Sequence, residues 1–198
     1  MNALWYLMRG TGAVSLVLLT MTLALGVANH GRWAPRNTPR FVVDHLHRTA
    51  SLLVVALLAV HITTAVLDRH VAIDLADAVI PFAGHYRPLW VGLGALSLDL
   101  LLALIVTSLL RARIGLRQWK AVHWLAYACW PVAVAHGLGN GTDVPHGGWM
   151  LWLTGACAVT VAAAVWARLT RAPRPAATSA PTAPVVPTTI HAPTGALR

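Results

Sequence analysis

Glutamate is absent from the 198 residues, lysine occurs once and phenylalanine twice. Charged residues make up 11% of the chain, against about 25% in an ordinary soluble domain. That is too little charge to cover a water-facing surface, and a large soluble enzyme is excluded. With two cysteines, Cys129 and Cys157, each inside an apolar run, the chain is not a disulfide scaffold. Both read as small buried hydrophobes. A collagen-like repeat and a glycine-rich dinucleotide fingerprint are also missing. What is present is apolar: 57% of the residues are hydrophobic. At roughly 100–200 residues per domain the length admits one domain and little more. This is the composition of an integral membrane protein.

The six acidic residues are all Asp, against 15 Lys and Arg, for a net charge of +9. Such a balance can signal nucleic acid, but here the basic residues sit in short groups between long uncharged stretches, and no basic, aromatic-interleaved surface exists to hold a polynucleotide. Nucleic acid is therefore not an expected partner. Basic groups spaced in this way orient a chain in a lipid bilayer and meet anionic headgroups.

A bilayer-spanning helix needs about 20 mainly apolar residues. Five stretches qualify: 11–28, 48–67, 88–110, 121–138 and 149–167. The first resembles a signal-peptide core, but its positive charge lies downstream, at Arg32, Arg36 and Arg40, the reverse of a signal peptide. The 28–48 loop, the 111–120 loop and the segment after the fifth stretch carry most of the basic residues. The opposite side keeps Arg9, Arg69 and Arg87. Positive-inside logic then places the N-terminus outside and the C-terminus in the cytoplasm, the arrangement that five spans require. The expected fold is an all-α bundle of five transmembrane helices over residues 1–168, in a bacterial plasma membrane. Residues 169–198, rich in Pro, Ala and Thr, are expected to form a disordered cytoplasmic tail. The 69–87 segment, with Val71, Ile73, Leu75, Val79 and Ile80 among Asp residues, suggests a short amphipathic helix on the outer surface.

Four of the ten histidines lie in or at the ends of predicted spans. His47 and His61 bracket the second, and His123 and His136 much of the fourth. Those two spans run in the same direction, so His47 and His123 share the inner level and His61 and His136 the outer. Intramembrane ionisable residues are costly and tend to be functional. Two facing imidazoles at one depth can ligate a haem iron from both sides. Two such levels, about 20 Å apart at 1.5 Å rise per residue, would stack two haems across the bilayer. On an ideal helix His61 returns to within about 40° of the His47 face, whereas His136 falls about 140° from His123. Pro131, between the latter two, is expected to kink or rewind that helix. His45 is a rival to His47 but is about 160° out of phase with His61.

The segments DHLHRTASLLVVALLAVHITTAVLD (44–68) and WKAVHWLAYACWPVAVAH (119–136) resemble the two haem helices of the ferric-reductase-like transmembrane domain. That superfamily includes NADPH oxidases, yeast-type ferric reductases and the haem subunit of a bacterial methionine-sulfoxide reductase system. The resemblance covers residues 4–167 and is most specific in those two helices. It implies two b-type haems, held by His47–His123 and His61–His136, passing electrons outward. Full-length oxidases and ferric reductases carry a flavin- and nicotinamide-binding region after the last helix. Here the Pro/Ala/Thr tail follows, so the chain is expected to be the membrane subunit of an oxidoreductase. Its donor would be a separate flavoprotein, reduced flavin or quinol, and its acceptor ferric iron, oxygen or a protein outside.

Arg48, Arg117 and Lys120 lie at the inner level, where haem propionates find partners, and Arg9 is placed to do so at the outer level. The alternative for each is interface anchoring. Asp99, mid-span, is a candidate proton shuttle or partner of a ligand imidazole, or else a structural group bonded to Ser97 or a carbonyl. His70, His85 and His146 with Asp74, Asp77 and Asp143 form either an outer landing site or a solvated surface. Three other functions stay open: a quinone-reactive respiratory cytochrome b, a small transporter or proton pathway using Asp99 and the histidines, and an assembly subunit.

Overall fold

The computed structural model describes residues 2–30, 40–68 and 71–170. Among them the regular structure is entirely helical: α1 (Ala3–His30), α2 (Arg40–Leu67), α3 (Leu75–Val79), α4 (Pro88–Leu109), α5 (Arg111–Ile114), α6 (Leu116–His123), α7 (Ala126–Asn140), a 3₁₀ turn at Val144–His146, and α8 (Trp149–Thr170). The expected tail lies outside the described residues, apart from Leu169 and Thr170 at the end of α8. So do Arg32, Arg36, Arg69 and His70.

Among the described residues four helices are long and apolar enough to cross a membrane: Ala3–Val27, Phe41–Leu67, Pro88–Leu109 and Trp149–Thr170. In three of them only 17% of the most apolar window is buried inside the protein. Leu52, Leu102, Leu109, Val159, Trp166 and Leu169 all point outward. An outward face of this kind is stable against lipid and not against water. The chain is a multi-pass membrane protein.

The predicted span at 121–138 is the exception: its residues fall in two helices, α6 and α7, separated at Trp124–Leu125. The break is not at Pro131, which sits inside α7. Around the break the N–H groups of Leu125, Tyr127 and Ala128 donate to carbonyls three residues back, at 2.9, 3.1 and 3.0 Å. Such tight bonds wind the chain by about 120° per residue instead of about 100°. The overwinding carries His136 toward the His123 face, the direction that the uniform-helix phase error requires. Among the described residues of the 69–87 segment only Leu75–Val79 is helical, and it packs on α4.

The helices associate as two main pairs, α2 along α1 and α7 along α4, with α8 against α1. Ala13, Leu16, Met150 and Cys157 form the buried contact of α1 with α8, flanked by Trp130 and Val134 of α7. Polar ties cross the bundle as well. Trp130 Nε1–H donates to Thr20 Oγ1 at 2.9 Å, and Arg168 donates to the Tyr127 hydroxyl at 2.8 Å. By contrast, α2 and α7 have no extended backbone contact with each other. The α2 helix, with His47 and His61, faces His123 of α6 and His136 of α7 across a gap.

Candidate cofactor-binding site

The gap is where His47, His61, His123 and His136 meet. His47 of α2 and His123 of α6 stand with ring centres 6.4 Å apart and planes at 55°. One level along, His61 of α2 and His136 of α7 stand 6.3 Å apart at 85°. Two imidazoles sharing one metal ion, with metal–nitrogen bonds of about 2 Å, have ring centres about 6 Å apart. Both pairs have that separation.

Backbone bonds orient three of the four rings. His61 Nδ1 lies 2.7 Å from the Met8 carbonyl oxygen, His47 Nδ1 3.1 Å from that of Thr22, and His136 Nδ1 2.8 Å from that of Trp90. A carbonyl only accepts, so each of these nitrogens carries the proton and donates it. The Nε2 lone pair, on the far side of the ring, is then available to a metal, the arrangement that second-shell carbonyls impose on ligand histidines. Asn140 adds a bond from its amide to the His136 carbonyl at 3.1 Å. His123 differs: its Nδ1 is buried with no hydrogen-bond partner, and its ring lies against Trp119, centres 4.9 Å apart.

Around His61 and His136 the gap widens into a cavity of about 300 Å³, at the lower end of the roughly 300–1,000 Å³ of small-molecule and cofactor sites. Its wall is mainly apolar, with Leu16, Leu58, Ala95 and Leu101, and turns polar toward Arg9, Asp68 and Thr142. The Arg9 guanidinium pairs with Asp143, donates to Thr142 Oγ1 at 3.1 Å and packs over Trp5 and Trp149 at 5.2 and 4.9 Å. It thus serves as a structural clamp as well as part of the cavity wall. Partial burial alone would push the Asp143 carboxyl up, but hydrogen bonds from Arg9 and the Met150 N–H outweigh it and hold the group below its ordinary value. Asp68 is almost fully buried and accepts from the Asn2 amide at 3.0 Å.

Arg48, Arg117 and Lys120 are exposed at the His47–His123 end of the bundle, and none makes an ion pair among the described residues. His45 is exposed on α2, away from the half-buried His47. Asp99 is half-buried on α4 and does not line the cavity. Ser97, its suggested partner, donates to the Gly94 carbonyl instead. His85 and His146 are exposed, and no group of three or more His, Cys, Asp or Glu able to hold a metal gathers among the described residues.

The donor chemistry narrows the possible occupant. Each pair offers two imidazole nitrogens, too few for a metal held by protein ligands alone. Two opposed imidazoles suit an iron that arrives with its own equatorial nitrogens, as in a porphyrin, and an apolar gap between helices suits the macrocycle. The residues present fit haem. No protein-family model, curated protein or solved structure matches the chain. Sequence reasoning missed the accepting carbonyls of Met8, Thr22 and Trp90, and the glycines beside them. One signal was available: Gly12 and Gly26 of α1 have the same spacing as His47 and His61.

Proposed function

We propose that the protein is a di-haem membrane cytochrome b of the ferric-reductase-like type, carrying electrons across the bilayer. The observation that supports this reading is the pair of imidazole couples, at 6.4 and 6.3 Å, set at two levels of one apolar gap. In this reading α6 and α7 together make the remaining crossing, giving five spans with the N-terminus outside and the C-terminus in the cytoplasm. The plasma membrane of a bacterium is the corresponding location.

His47 and His123 hold the inner haem, and His61 and His136 the outer. When bound, each haem supplies an iron that cycles between the ferrous and ferric states. The protein fixes the ligand tautomers through the carbonyls of Met8, Thr22 and Trp90 and keeps water away with the apolar wall. The two levels along α2 are about 21 Å apart at 1.5 Å rise per residue. Arg48, Arg117 and Lys120, exposed and basic, receive the inner propionates or an anionic donor. The donor is a separate flavoprotein, reduced flavin or quinol, and the acceptor is an extracytoplasmic oxidant.

Reconstitution into vesicles tests the direction of transfer. With reductant confined to the side bearing the His47 level, an impermeant ferric chelate on the other side should be reduced, and His61→Ala should abolish the flux. Equal flux through empty vesicles or through the variant would overturn the reading.

A further inference from the structure

The three oriented histidines share a backbone pattern. Each accepting carbonyl lies four residues before a glycine on the same helix: Met8 before Gly12, Thr22 before Gly26, and Trp90 before Gly94. In an α-helix the N–H of residue i+4 bonds the carbonyl of residue i, and the side chain of residue i+4 stands beside that bond. A carbonyl oxygen has a second lone pair, but a Cβ at i+4 crowds the approach to it. Glycine removes the obstruction. At all three positions the space beside the carbonyl is filled by an imidazole from another helix.

The crowding is graded. A Cβ on Gly94 would stand 2.5 Å from His136 Nδ1, and one on Gly12 would stand 2.9 Å from His61 Nδ1. A Cβ on Gly26 would meet its nearest His47 atom at 3.6 Å, an ordinary contact. The ring-to-carbonyl distances separate the same two from the third: 2.8 and 2.7 Å at His136 and His61, and 3.1 Å at His47. His123, with its unpartnered Nδ1, has no such arrangement.

We propose that Gly12, Gly94 and, less tightly, Gly26 are positioning residues: each opens a helix carbonyl that locks a histidine in the Nδ1–H form with Nε2 turned toward the gap. His123 is left as the one unlocked ring. The inference deepens the haem reading and rests on it only for what the Nε2 atoms bind. The His61–His136 level is therefore the preorganised one, and the His47–His123 level is held from one side.

The test uses the full chain in lipid bilayers, with ¹⁵N,¹³C-histidine, and reads ring tautomers by solid-state NMR in the dithionite-reduced state. In the wild type His47, His61 and His136 should be Nδ1–H, assigned through single His→Gln variants, with His123 outside that set. Gly94→Ala should abolish the Nδ1–H signature of His136 and at least halve the low-spin signal of that level. Gly12→Ala should do the same to His61 to a lesser degree, and Gly26→Ala should change little. Alanine is the better helix former, so a glycine with no positioning role should accept it without loss. Gly10, with nothing within 4 Å of its Cβ position, is that control. An unchanged His136 tautomer and spectrum in Gly94→Ala, or equal effects at Gly10, Gly12, Gly26 and Gly94, would overturn the proposal. If the wild type holds no haem, the proposed function falls, while the wild-type tautomers still decide this inference. If Gly94→Ala does not accumulate, Gly12→Ala and the wild-type tautomers decide it.

Discussion

His61 and His136 come from opposite halves of the chain, yet their ring centres stand 6.3 Å apart, and each donates its Nδ1–H to the backbone of a helix other than its own. Neither ring is free to rotate, so the two Nε2 atoms are held for whatever occupies the gap. At the other level only His47 is held in this way.

Single alanine substitutions should divide the cofactor by level. His61→Ala or His136→Ala should lower the haem content from two per chain to one and leave the His47–His123 spectrum in place. His47→Ala should do the converse. Pyridine-haemochrome stoichiometry with reduced–oxidised spectra measures both. Full haem content in any of these variants would remove that residue from the ligand set.

The His47–His123 level should release its haem first. Its His123 has no second-shell acceptor, and such outer partners are typically worth about 10–100-fold in metal affinity. In His61→Ala and His47→Ala, each retaining one level, transfer to apomyoglobin should run faster from the level that includes His123. Equal transfer rates would contradict this.

The Arg9–Asp143 clamp should make stability depend on acid. The Asp143 carboxyl is held below its ordinary value in the folded protein. Its contribution is therefore complete above the unfolded-state value near 4 and is lost as pH falls through the lower folded value. Thermal unfolding in detergent should show a falling Tm below about pH 4, and Asp143→Asn should flatten that part of the profile. A variant profile parallel to the wild type would show that the clamp does not link folding to pH.

The Trp130–Thr20 bond, 2.9 Å between α7 and α1, should have a modest energetic effect. Interhelical hydrogen bonds in membranes average about 0.6 kcal/mol and reach about 1.7. Thr20→Val should destabilise by that amount in an SDS unfolding titration, with haem spectra unchanged. A larger loss accompanied by haem release would assign the bond to the site itself.

Apolar runs such as 48–67 and 88–110 made the membrane helices legible, because lipid imposes one long apolar signature per span. The grouping of His47 with His123 and of His61 with His136 was legible too, since rise per residue is fixed. Their phase was not. The helix breaks at Trp124–Leu125, where neither residue is a helix breaker, while the visible breaker, Pro131, sits inside α7. The pairing of Arg9 with Asp143 was hidden because the two lie far apart in the chain and only packing joins them. The carbonyl acceptors were hidden for a different reason. Every residue has a carbonyl, and only the glycine four positions on marks the ones left open.

The most direct measurement is haem per chain in the protein purified in mild detergent from cells with adequate haem supply, together with oxidised and dithionite-reduced spectra. The account predicts two low-spin b-type haems per chain. A haem-free protein would contradict it.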